Sequence, residues 1–248
     1  MKYDVTKNQD LSVDKVEMTC DNDLAKGLCK PLPNRSFAMV LSGKSGSGKT
    51  NLAISLLKGK KGKDGKRKGY FKTFNHIIVC SPTLQSLQNN IFKDHPEEKM
   101  FEDFDAEFID FVTKFTDVAA DNNETTLLYL DDVGSQLRRY AYLEKALVSL
   151  LQNRRHRKLS CLLVVQKFRD LPTGIRNNLT HLALFKPVNQ KELEAVHEEL
   201  LPITKKDLPS FVDFVYSRKY NFMFVDMSLQ ESPGFVFYKN FDLINFVE

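Results

Sequence analysis

The stretch Phe37–Thr50, FAMVLSGKSGSGKT, decides the fold. Its first six residues form a continuous apolar run, the pattern of a strand buried on both faces. Its last eight, Gly43, Lys44, Ser45, Gly46, Ser47, Gly48, Lys49 and Thr50, fit G-x-x-x-x-G-K-[ST]. Glycines at this spacing let backbone N–H groups turn inward around a phosphate. A helical pattern with Leu52, Leu56 and Leu57 follows and aims its amino end at the same anion. Lys49 supplies a point charge for β- and γ-phosphates, and Thr50 a hydroxyl for Mg²⁺. Strand, glycine loop and helix together predict a nucleotide-binding unit.

Outward from this unit, four more apolar runs recur: Asn75–Cys80, Thr126–Asp131, Ser160–Val165 and His181–Lys186. Between them lie segments with helical spacing of apolar residues, over 97–120 and 134–155, and further helices are expected at 190–200 and 205–216. Such alternation predicts an α/β fold with a mostly parallel sheet and helices on both faces. Phe222–Met227 and Phe235–Lys239 are two late candidates to extend the sheet. Residues 1–30 show no strong periodicity and read as an N-terminal arm, leaving 31–248 as a single domain. Gly59–Gly69 (GKKGKDGKRKG) has no apolar side chain and reads as a flexible loop.

The second chemical signal is Leu127–Asp132, LLYLDD, an apolar run ending in two acids. A carboxylate at such a strand end can hold the shell of a Mg²⁺ ion, which makes Asp131 the metal candidate. Asp132 would then orient or deprotonate the attacking water. Gln166 follows the next run, at the edge where open α/β sheets bind ligands, and can sense a γ-phosphate. Arg155, in the basic segment 152–158, and Arg176 are candidates for a guanidinium supplied across a subunit boundary.

The 248 residues carry 36 Lys+Arg and 32 Asp+Glu, a net charge of only +4. That small sum hides strong segmentation. Residues 58–72 carry +7 and 134–186 carry +9, while 94–124 carry −9. Such asymmetry points to a polyanionic partner or to charge-complementary self-assembly. Eight basic residues in 58–72 suggest contact with DNA phosphates. No uncharged apolar run approaches the length of a membrane span, and the first fifteen residues lack the apolar core of a secretory signal. Cys20, Cys29, Cys80 and Cys161 are scattered, without the paired spacing of a zinc site or disulfide framework.

GKSGSGKT, Ile77–Thr83 (IIVCSPT), LLYLDDVGS, NRRHRKLSCLLVVQ and Leu171–Asn178 (LPTGIRNN) occur in this order. Together they resemble the genome-packaging ATPases of poxviruses, other large nucleocytoplasmic DNA viruses, virophages and Polinton elements, within the FtsK–HerA superfamily. The likeness covers about residues 30–245. It implies a P-loop sheet with an additional strand, the Gln166 strand, between the phosphate-loop and acidic strands. Numbered by the five runs, the strand order would be 5-1-4-3-2. It further implies ATP and Mg²⁺ as cofactors, Lys49 and Thr50 as nucleotide and metal contacts, Asp131 as the metal acid and Gln166 as the sensor. Asp132 stands where many relatives carry Glu, and Arg155 occupies the Arg of an Arg-His pair. The implied activity is an ATP-hydrolysing motor that moves double-stranded DNA into a viral capsid, as a ring of five or six identical subunits. It would meet capsid or portal proteins in the cytoplasmic virus factory or the virion. A P-loop nucleoside or nucleotide kinase and a nucleotide-dependent DNA-binding scaffold are the alternatives. A GTPase is disfavoured, since Asn189-Gln190-Lys191-Glu192 does not fit N-K-x-D.

Overall fold

Nine strands are formed among the described residues: β1 (Ala38–Ser42), β2 (His76–Cys80), β3 (Met100–Phe101), β4 (Thr126–Asp131), β5 (Leu159–Val165), β6 (His181–Phe185), β7 (Phe222–Asp226), β8 (Val236–Lys239) and β9 (Asp242–Leu243). The computed structural model describes residues 23–60, 62–63, 65–83, 92–228 and 234–246. One sheet holds all nine, in the order β3-β2-β4-β5-β1-β6-β7-β8-β9. From β3 to β6 every pairing is parallel; β7, β8 and β9 follow antiparallel. The five runs therefore take the expected order, read as β6-β1-β5-β4-β2. β5 is the strand inserted between the phosphate-loop strand and the acidic strand. The late runs extend the sheet as expected, with β9 added beyond them and β3 at the other edge.

Helices α1 (Lys49–Lys58), α2 (Ala106–Asp121), α3 (Gly134–Arg139), α4 (Ala141–Gln152), α5 (Thr173–Arg176), α6 (Gln190–Leu200) and α7 (Leu208–Val215) connect the strands. β1 shows why the central strands read as continuous apolar runs. Ala38 and Val40 face a core shared with α2, α4 and α6, whereas Met39 and Leu41 face a core shared with Ala53 and Leu56 of α1. All five β1 residues are buried. Each large apolar side chain removed from water in this way contributes about 1.5–3 kcal/mol of transfer free energy.

Two expected helices are corrected. The helical spacing over 97–120 becomes a helix only from Ala106. Asp105 caps it, its carboxylate accepting from the Phe108 N–H at 2.9 Å. The residues before it form a 3-10 turn (Glu97–Lys99) and β3 instead. The expected 134–155 helix is two, because Tyr140 adopts an extended conformation (φ −125°, ψ 100°) between α3 and α4. Helix 190–200 is α6, capped by Asn189, and the expected 205–216 helix is the shorter α7.

Part of the arm is anchored. Leu24 and Leu28, with Leu32 just beyond the arm, pack against the α1-side core, and the Cys29 N–H donates to the Arg67 carbonyl. That bond and the Arg67 N–H to Gly27 carbonyl bond join the described part of the glycine-rich segment after α1 to the arm. Residues 1–22 of the arm, and Lys61 and Asp64 of the basic segment, lie outside the described residues. Among the described residues no helix is long and apolar enough to cross a membrane.

Candidate active site

The carboxyl ends of β4, β5 and β1 lie side by side, so the loops leaving them meet at one edge of the sheet. Register sets the alignment: Ser42 pairs with Val165, and Asp131 with Val164. Two backbone bonds fasten it. The Gly43 N–H donates to the Val165 carbonyl at 3.2 Å, and the Asp132 N–H to the Val164 carbonyl at 3.0 Å. The end of β5 is thus clamped between the phosphate loop and the two acids, and Gln166 emerges between them.

Gly43–Thr50 wraps from β1 into α1 as the motif requires. Gly48 takes φ 106°, a conformation that an L side chain rarely adopts, and from it the helix starts at Lys49. At Gly43 a Cβ would lie 2.7 Å from Phe185 Cβ and 2.8 Å from Ser47 Oγ, so only glycine fits this approach. The Lys49 ammonium is buried and donates to the Gly43 carbonyl at 2.6 Å and the Lys44 carbonyl at 3.0 Å. Burial lowers its pKa, against the pull of Asp131 and Asp132.

Asp131 is half-buried. Burial, and then the charge of Asp132, push its carboxyl up to about 6, opposed by Lys49 and by Ser81. The Ser81 hydroxyl donates to Asp131 Oδ2 at 3.5 Å and lies 3.1 Å from Thr83 Oγ1. Asp132 is exposed and sits in the left-handed region at φ 56°, which Asp tolerates better than most residues. That turn directs its carboxylate toward Gln166, whose Nε2 donates to Oδ2 at 3.2 Å.

The site therefore gathers Lys49, Thr50, Asp131, Asp132 and Gln166 on one edge. A triphosphate with a divalent cation suits this donor set. Ser47 Oγ is buried without a hydrogen-bond partner among the described residues, so a phosphate oxygen or metal-bound water would satisfy it. Thr50 offers its hydroxyl from the first turn of α1, and Asp131 a carboxylate two strands away.

Arg155 and Arg176 are not brought to this edge. Arg155 lies in the turn before β5, at the amino ends of the strands, across the sheet from the phosphate loop of its own chain. Arg176, in α5, bonds Glu199 at 2.9 and 3.0 Å and the Leu171 carbonyl at 2.6 Å. Ser81 escaped the sequence reading. A serine after an apolar run carries no signal by itself, and only the β2–β4 pairing places it beside Asp131.

Residues 28–233 match the family model described as Poxvirus A32 protein. Over 156 residues the chain is 28% identical to the DNA packaging protein OPG160 of Variola virus, covering 60% of this chain and 53% of that protein. OPG160 of Vaccinia virus (strain Copenhagen) matches to the same extent, so the chain spans about half the length of the curated relatives it matches. Among solved structures, the DNA-packaging ATPase B204 from Sulfolobus Turreted Icosahedral Virus superposes with a TM-score of 0.60 at 15% identity, over 86% of this chain and 100% of that one. The genome packaging NTPase B204 of Sulfolobus turreted icosahedral virus 2, in complex with ATP-gammaS, gives 0.56 at 16% identity, over 82% and 96%. At these identities the likeness establishes the fold.

Proposed function

Because the chain belongs to the Poxvirus A32 protein family, we propose that it hydrolyses ATP with Mg²⁺ and uses the energy to move double-stranded DNA into a viral capsid. The observation that carries this proposal is the meeting of phosphate loop, paired acids and Gln166 at one sheet edge. The relatives named DNA packaging protein support the direction of the work done.

Lys49 and the loop N–H groups bind the phosphates, and their positive charge favours the bridging oxygen that leaves with ADP. Thr50 and Asp131 would hold the shell of a Mg²⁺ ion, which would neutralise phosphate charge. Asp132 accepts a proton from the attacking water, and Gln166 holds Asp132 in place and registers the loss of the γ-phosphate. Arg155, in the turn before β5, and Arg176, bonded to Glu199 within its own subunit, are the two candidates to reach a neighbour's nucleotide in a ring.

A cleft of about 660 Å³ is lined by Arg138, Lys167, Arg169 and Lys191, with Asp170 and Glu192 between them. Asp170 is paired with Arg138 at 2.9 Å and Glu192 accepts from the Phe168 N–H, which leaves a basic surface for DNA phosphates beside Gln166.

ATP turnover with and without double-stranded DNA, on size-fractionated oligomer, tests the proposal. Stimulation by DNA is expected. Phosphate transfer to a nucleoside would instead make the chain a kinase, and slow hydrolysis indifferent to DNA would make it a scaffold.

A further inference from the structure

A cleft of about 260 Å³ opens beside the phosphate loop, lined by Gly48, Asn51, Leu52, Ser55, Phe185, Tyr220 and Phe222. We propose that it seats the base of the bound nucleotide and that Tyr220 is the face on which the base stacks. This rests on the ATP-hydrolysis proposal and adds the residue that holds the nucleoside end.

Strand order gives the direction. On one side of β1 lie β5 and β4, carrying Gln166, Asp132 and Asp131; on the other lie β6 and β7. A triphosphate whose γ end faces the acids must send its nucleoside end toward β6 and β7. There Phe185, the last residue of β6, pairs with Phe222, the first of β7, their rings 5.4 Å apart. Because β7 runs antiparallel, it begins at the carboxyl edge, and the turn before it brings Tyr220 to the loop.

The walls suit a flat, apolar, edge-polar ring. Tyr220 offers the exposed aromatic face, backed by the buried rings of Phe185 and Phe222, and Asn51 and Ser55 offer donors and acceptors for a ring edge. Tyr220 is 56% exposed, so its ring is accessible to a ligand in the cleft it lines. Its φ is 70°, a costly conformation for a bulky side chain, of the kind retained at ligand sites. The turn is pinned by Asn221, whose Nδ2 donates to the Val215 carbonyl at 3.1 Å, and Lys219 Nζ lies 4.8 Å from the Tyr220 ring centroid. A Cβ at Gly48 would lie 3.4 Å from both Tyr220 Cδ1 and Phe185 Cε1. That is ordinary contact distance, so the aromatic wall abuts the turn that Gly48 makes.

The chain contains no tryptophan, so Tyr220→Trp installs a single reporter. ATP is expected to quench its emission, and inorganic tripolyphosphate, which lacks a base, to leave it nearly unchanged. Tyr220→Asn, whose short side chain tolerates the left-handed backbone, is expected to raise KM for ATP about tenfold with kcat little altered. Tyr220→Phe is expected to keep the parental KM. An unchanged KM in Tyr220→Asn, or equal quenching by tripolyphosphate, overturns the stacking role. A parent chain that neither binds nor hydrolyses ATP overturns the hydrolase proposal instead, so the two failures are distinct.

Discussion

Gln166 Nε2 lies 3.2 Å from Asp132 Oδ2 and 3.4 Å from Oδ1, so the residue that follows β5 is bonded to the acid that follows β4. The amide holds the carboxylate that would take the proton of the attacking water. Asp132→Asn is expected to lower kcat about 100-fold or more, with ATP affinity little changed. Gln166→Leu is expected to lower kcat by less, and the double variant to be no worse than Asp132→Asn. Single-turnover hydrolysis of the four proteins measures the coupling, and additive losses would mean that the two groups act separately.

Lys49→Ala should abolish hydrolysis, since it removes the cation aimed at the β- and γ-phosphates. The variant also loses the bonds to the Gly43 and Lys44 carbonyls, so circular dichroism should accompany the assay. Normal DNA-stimulated turnover in a folded Lys49→Ala chain would refute the site.

Asp131 carries a stability cost in metal-free protein. Its carboxyl titrates at about 6, above the ordinary value of 3.8, mainly because it is buried. The folded chain then binds more protons than the unfolded chain between these values, and stability rises as pH falls through about 6. Asp131→Asn removes the charge. In EDTA at about pH 8 it is expected to melt a few degrees higher than the parent, at ~2–4 °C per kcal/mol for a domain of this size. That advantage should shrink below about pH 6, and ATP hydrolysis should be lost. Calorimetry across this range checks the prediction, and a lower melting temperature at pH 8 contradicts it.

The basic cleft predicts a salt signature. Neutralising Lys167, Arg169 and Lys191 together should flatten the plot of log binding constant against log salt by about 2–3, at ~0.9 for each DNA phosphate left without a cation. The glycine-rich basic segment follows α1, which runs back from the phosphate loop, so it lies toward the amino ends of the strands. A matched variant at Lys63, Lys66 and Lys68 separates the two surfaces. If it alone flattens the slope, the DNA path follows the amino edge instead.

Five of the parallel strands and the phosphate loop were legible because a strand buried on both faces is apolar at most of its positions. Glycine spacing, likewise, is dictated by phosphate geometry. Helix ends were less so. Tyr140 breaks one helical pattern through a backbone conformation that carries no composition signal, and Asp105 caps α2 well after the periodicity begins. Strand order was implied by family likeness; the apolar runs alone left it open. Ser81 and Tyr220 were missed because their places depend on strand pairing and direction, relations between distant segments.

Among the described residues the sheet stops at both sides in two-residue strands, β3 and β9. Such stubs present few backbone donors and acceptors to a strand of another molecule. In a ring of the proposed kind, subunits would then meet through side chains and not by lengthening a common sheet. Single substitutions could retune their mutual orientation and leave every backbone ladder intact.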